Sequence, residues 1–130
     1  MRTMKTNGVK TMKTSELKDL ALDWAVTAIE NPDALKYGVE DWRSRRRHDV
    51  KAGEFLFRWS SSWAQGGPII EREVISLIHP KYDCWTAHVY DKHIDDESYT
   101  LDGPTPLIAA MRCYVASKLG DEVEVPEGLR

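Results

Sequence analysis

Apolar residues recur at helical spacing from Ser15 onward. Leu17, Leu20, Ala21, Trp24, Ala25 and Ala28 line one face, with Glu16 where the helix dipole favours an acid. Thr14 or Ser15 is the expected cap, and Asn31-Pro32 the stop. Leu22, Val26 and Ile29 add a second stripe, so this helix is expected to pack against a sheet and one further element. Before it, Met1 to Lys13 has little pattern beyond a repeated Met-Lys-Thr triplet and reads as a mobile leader, with Met12 available as an alternative start.

Asp33 to Glu54 is the least patterned stretch and reads as an exposed insertion. Phe55, Phe57 and Trp59 then alternate with Leu56 and Arg58, the period of a strand with one aromatic face, which Ser60, Ser61 and Ser62 end. Pro68 is placed to open a short helix through Ile69, Ile70 and Glu71. Val74 to His79 and Trp85 to Tyr90 read as a hairpin across Pro80-Lys81-Tyr82-Asp83, and Ser98 to Leu101 as a third strand.

The last helix begins at Pro106. Leu107, Ala110, Met111 and Tyr114 share a face that Ile108, Val115 and Leu119 extend, with Thr105 as cap and Gly120 as terminator. Val123, Val125 and Pro126 read as a short acidic tail. The pattern predicts one α/β domain of the α+β kind over residues 14 to 126, with 127 to 130 as tail. A small antiparallel sheet would pack with an N-terminal and a C-terminal helix, and a short helix would follow Gly67.

Composition supports a folded domain. The chain has 130 residues, 42% hydrophobic and 30% charged, enough for one core without metals or disulfides. No apolar run approaches the roughly 20 residues of a membrane span, and no apolar signal core follows the basic N-terminus, so a cytoplasmic protein is expected. Cys84 and Cys113 read as reduced thiols. The net charge of −3 argues against general affinity for nucleic acid unless a local basic patch supplies it.

Arg43, Arg45, Arg46 and Arg47 form such a patch and are candidates for contact with a protein partner or anion. Asp41 and Asp49 flank them, which favours a solvated, partly neutralised loop over a nucleic-acid surface.

Candidate chemistry gathers at two glycine- and proline-marked helix starts, Gly67-Pro68 and Gly103-Pro104-Thr105-Pro106. The first amides of a helix lack internal acceptors and favour an anion or polar oxygen. One reading leaves both as ordinary turns and caps. The other makes them a ligand site from Trp63, Gln65, Gly66, Gly67, Thr105, Leu107 and Arg112, with Trp63 stacking on a planar group and Arg112 pairing a phosphate or carboxylate.

Catalytic and metal constellations are missing from the pattern. His79, His88 and His93 with Asp91, Asp95 and Asp96 match no familiar ligand spacing, and the serine run lacks a Gly-x-Ser-x-Gly arrangement. Cys113 falls mid-helix, where it packs rather than reacts, and Glu71 and Glu73 diverge on a helix. No catalytic residue, cofactor or metal is expected.

Leu22-Asp23-Trp24-Ala25-Val26, Trp63-Ala64-Gln65-Gly66-Gly67-Pro68-Ile69-Ile70-Glu71 and Gly103-Pro104-Thr105-Pro106-Leu107-Ile108-Ala109-Ala110-Met111-Arg112 resemble the phage NinX-like family of uncharacterised proteins. The resemblance runs from about Met12 to Pro126, apart from the arginine-rich insertion. It implies a phage or prophage origin and a helix, sheet, helix arrangement similar to phage ABA sandwich domains, but no reaction.

By analogy with small phage accessory proteins, it suggests a non-enzymatic binder in the bacterial host cytoplasm that sequesters a nucleotide-derived immune signal without cleaving it. The alternative is a module that inhibits or redirects a host protein. A chain this small has little room to enclose a ligand, so a homo-oligomer sharing the pocket is expected.

Overall fold

The computed structural model describes residues 8–48, 56–79, 83–90 and 98–129. The fold is mixed α+β, as the pattern predicts. In chain order the elements are β1 (Val9–Lys13), α1 (Asp19–Glu30), α2 (Val39–His48), α3 (Trp63–Glu73), β2 (Ser76–Ile78), β3 (Trp85–Tyr90), β4 (Ser98–Gly103), α4 (Pro106–Leu119) and β5 (Glu122–Pro126). Short 3-10 turns at Thr14–Glu16 and Pro32–Leu35 flank α1.

Helix α4 is the centre. Leu107, Ala109, Ala110, Met111, Cys113, Tyr114 and Val115 are all buried, so its apolar surface runs round the helix rather than along one stripe. One side packs on an antiparallel sheet in the order β2-β3-β4; other sides meet α1, α3 and β5. The predicted ends hold: the Thr105 hydroxyl accepts from the Ile108 amide at 3.1 Å, and Gly120 closes the helix at φ 96°. The hairpin and third strand also form, with Ser76 opposite His88 and Ala87 opposite Leu101.

Several expectations are corrected. Val9–Lys13 is not leader: it pairs antiparallel with Glu122–Pro126, which is likewise a strand and not a loose tail. Val123 and Val125 turn inward from it. Local pattern hides this because the partners lie more than a hundred residues apart, and β1 sets Lys10 beside Met12 on its less exposed side and so carries no full apolar face.

Thr14 and Ser15 do not cap α1. The N-cap is Lys18, and Thr14 instead donates its hydroxyl to the Gly120 carbonyl at 2.7 Å while its amide reaches Asp121 at 2.8 Å. Those bonds fasten the start of α1 to the end of α4.

The segment read as an exposed insertion contains α2, whose Trp42 is fully buried between Trp24 and Phe57. A single large apolar residue among arginines gives almost no periodic signal, yet it anchors the helix. Phe55 lies outside the described residues, and the aromatic strand expected there does not form over residues 56–59. Phe57 takes a left-handed backbone at φ 58°, which breaks an extended run, and a turn follows.

Helix α3 starts at Trp63 rather than Pro68. The Gln65 and Gly66 amides already donate to the Ser62 carbonyl at 3.1 and 2.8 Å, so Pro68 lies inside the helix and cannot donate to Ala64. The helix ends with Val74 in the left-handed region at φ 57° and the Ile75 amide reaching Ile70, the six-to-one closure of a Schellman turn.

Candidate functional site

Trp63 opens α3 with 54% of its surface exposed. It stands at the rim of a cleft of about 310 Å³ lined by Asp19, Ser60, Ser61, Thr105, Pro106, Leu107 and Ile108. Two of the three sequence segments are therefore brought together: the Trp63 end of α3 faces the Thr105 end of α4. Asp19 supplies the charge on the cleft wall.

The remaining candidates divide. Gly66 is buried and lets the helices approach: a Cβ there would lie 2.4 Å from the Trp59 carbonyl oxygen and 2.6 Å from Leu107 Cδ2. Gly67 has ordinary room, with Trp63 Cε3 at 3.8 Å from a built Cβ. Gln65 turns back to accept the Arg58 amide at 2.6 Å. Leu107 is 3% exposed and forms floor rather than rim.

Arg112 is not in this cleft. Its Nε donates to the Leu17 carbonyl at 2.7 Å and Nη1 to the Asp102 carbonyl at 2.8 Å, and it lines a separate groove beside β4. Burial pulls its pKa down, with Asp102 opposing.

The arginine segment also divides. Arg46 reaches inward, its Nη2 donating to Asp23 Oδ2 at 2.6 Å and its Nε to the Phe57 carbonyl at 3.3 Å. Arg45 approaches Asp41 at 3.9 Å on the exposed side. Arg43 is half-buried on the same helix, and the Arg47 side chain lies outside the described residues.

Sequence reasoning missed the polar hub behind the cleft. Asp23 is fully buried, and its Oδ1 accepts both the Ser60 amide at 2.9 Å and the Ser60 hydroxyl at 2.8 Å. Burial pushes the Asp23 carboxyl up, against the pull of Arg46 and Ser60. One turn on, Thr27 Oγ1 accepts from the indoles of Trp42 at 3.2 Å and Trp59 at 3.0 Å, and donates to the Asp23 carbonyl at 2.7 Å. The signal was present: Asp23 and Thr27 are four apart on a helix whose other faces are largely apolar, so both polar groups required buried partners. Ser60 thus belongs to the cleft wall and to the hub at once.

A second polar cluster joins α1, α3 and α4. Arg72 Nη2 meets Glu30 at 2.6 Å and the Tyr114 hydroxyl at 3.0 Å, Tyr114 donates to Glu30, and Glu73 takes Arg72 at 2.9 Å and Lys118 at 3.3 Å. Arg72 holds the Glu30 carboxyl below its ordinary range, while burial pushes the Tyr114 hydroxyl up. These groups satisfy one another. Among the described residues no three His, Cys, Asp or Glu side chains converge as a metal site, and His93 lies outside them. Cys113 is buried against the Tyr99 carbonyl at 3.1 Å, its thiol pushed up to about 12 by burial.

A family model described as bacteriophage P22 NinX matches residues 13–118. The chain belongs to the phage P22 NinX family. The matched span holds all four described helices nearly entire, the β2-β3-β4 sheet, and every residue lining the Trp63 cleft. No match was found among curated proteins. Among the described residues of this NinX-family chain, no helix is long and apolar enough to cross a membrane.

Proposed function

We propose that this NinX-family chain is a phage accessory binding protein that holds a nucleotide-derived ligand in the Trp63 cleft without transforming it. The observation that carries the proposal is a half-exposed indole at the mouth of a cleft that ends on the first turn of α4. An indole at such a rim offers a stacking surface to a planar base, and the about 310 Å³ of space matches the lower end of small-ligand sites. Ser60, Ser61 and Thr105 supply hydroxyls around it.

The charges favour the base end. Asp19 stands on the wall and Arg112 lies elsewhere, so the base and sugar enter the cleft and any phosphates remain toward solvent. Sequestration fits the polar chemistry. The Ser60 hydroxyl donates to Asp23, whose other oxygen is held by Arg46, and among the described residues no histidine lines the cleft to act as a base. A second copy covering the exposed indole would complete the pocket and make the protein a homo-oligomer. The alternative, capture of a host protein through the arginine segment, has less support because Arg46 is spent on Asp23.

The test is mass spectrometry of small molecules released by denaturing protein purified from infected cells. An intact nucleotide-derived species, absent from Trp63→Ala protein, is the expected result. Empty protein carrying a stoichiometric host polypeptide would overturn it, and time-dependent loss of added nucleotide would replace sequestration with hydrolysis.

A further inference from the structure

A groove unrelated to the Trp63 cleft separates the two sheets. Strand β4 ends the order β2-β3-β4, and β1-β5 forms a sheet of its own. Between them lie two hollows of about 560 and 600 Å³ that meet at Ser15 and Leu101. The first lies between Leu101 and the end of the β1-β5 ribbon at Lys13 and Glu122, and the second runs on along β4 from Thr100 to Gly103.

The β4 edge retains pairing capacity at Thr100. The Asp102 carbonyl is taken by Arg112, and alternate residues of an antiparallel strand aim their backbone groups to the same side, so the Thr100 backbone faces the groove as its template. Edge groups of this kind are a template for an incoming strand, which would sit about 4.8 Å from β4.

Charge selects what enters. Asp121 and Glu122 stand at one end and Asp83 and Asp102 at the other. Of the two cations among the described lining residues, Lys13 is opposite Glu122 in the ribbon and Arg112 is spent on two carbonyls. Leu101 supplies an apolar floor.

We propose that this groove docks an extended basic segment of a partner protein, which adds a strand to β4 with its lysines or arginines against Asp121, Glu122 and Asp83. Backbone pairing gives the register, alternate apolar side chains rest on Leu101, and the acidic ends select the charge. The site is independent of the Trp63 cleft.

The experiment titrates the full chain, labelled with nitrogen-15, with a synthetic ten-residue peptide of alternating valine and lysine. Amide shifts are expected at Thr100 to Asp102, Ser15 and Asp121. The double reversal Asp121→Lys with Glu122→Lys should weaken binding at least tenfold, while Glu124→Lys, a reversal outside the groove lining, leaves it unchanged; a dispersed amide spectrum verifies that each variant folds. A peptide N-methylated at alternate residues, and one with glutamate for lysine, should both fail. Equal affinity for the N-methylated peptide, or shifts confined to the open sheet face around His88 and Tyr90, would overturn the proposal.

Discussion

Gly66 and Leu107 are in such close apposition that a Cβ on the glycine would lie 2.6 Å from Leu107 Cδ2. This contact locks the start of α3 to the start of α4 and so sets the width of the Trp63 cleft. The glycine is required by packing rather than by backbone conformation, since its φ is not positive.

The neighbouring glycines should therefore respond in opposite directions. Gly66→Ala meets a backbone oxygen at 2.4 Å as well as Leu107, and is expected to destabilise by about 1–3 kcal/mol or more. Gly67→Ala meets only an ordinary van der Waals contact with Trp63 inside a helix and should stabilise by about 0.5–1 kcal/mol. Urea unfolding of the two variants checks both signs.

Breaking the buried pair should be costly. Arg46→Ala leaves the buried Asp23 carboxyl with Ser60 as its remaining partner, and a loss of about 3–5 kcal/mol is expected. Arg45→Ala removes a long, exposed contact and should cost about 0–1 kcal/mol. Denaturant midpoints followed by tryptophan fluorescence distinguish them, because Trp42 and Trp59 report on the adjoining Thr27 hub.

Acid should weaken the clip between α1, α3 and α4. The Glu30 carboxyl is depressed by Arg72, so the folded state holds its proton less tightly than the unfolded chain. Its stabilisation is full above the ordinary glutamate value of about 4.3 and is lost as pH falls through the lower folded value. Glu30→Gln should flatten the stability profile below about pH 5. Arg72 is half exposed, so the difference at neutral pH is expected to be small, within about 1 kcal/mol.

The two thiols should react unequally. Cys113 is fully buried with its thiol pushed up to about 12, whereas Cys84 lies half-buried on the wall of the β4 groove. Brief alkylation of folded protein at about pH 8 should give one adduct, at Cys84, and denaturation should expose the second. Peptide mass spectrometry locates them.

The candidate site was legible in part. Trp63, Thr105 and Leu107 follow from the motifs and do share a cleft, because the helix starts that made them conspicuous are packed together. Arg112 was grouped with them on its place in the motif, but it lies nearly two turns along α4 and reaches the β4 side instead. Asp23, the residue that ties the cleft wall to the arginine helix, stands in one of the resemblance segments but was given no role there.

Local pattern determined α4, its Thr105 cap and Gly120 end, and the strand pairs around β3, since those depend on 3.6- and 2-residue periods and on residues near in sequence. Gly66 was visible as a motif glycine from the start. Only the tertiary structure decided why it is needed, that Arg46 points inward to Asp23, and that the two chain ends pair as β1 and β5. Each of these rests on a partner supplied by a distant segment: Leu107 against Gly66, Asp23 against Arg46, Val125 against Lys10. A period along the chain carries no information about which distant surface will fill the space or satisfy the charge.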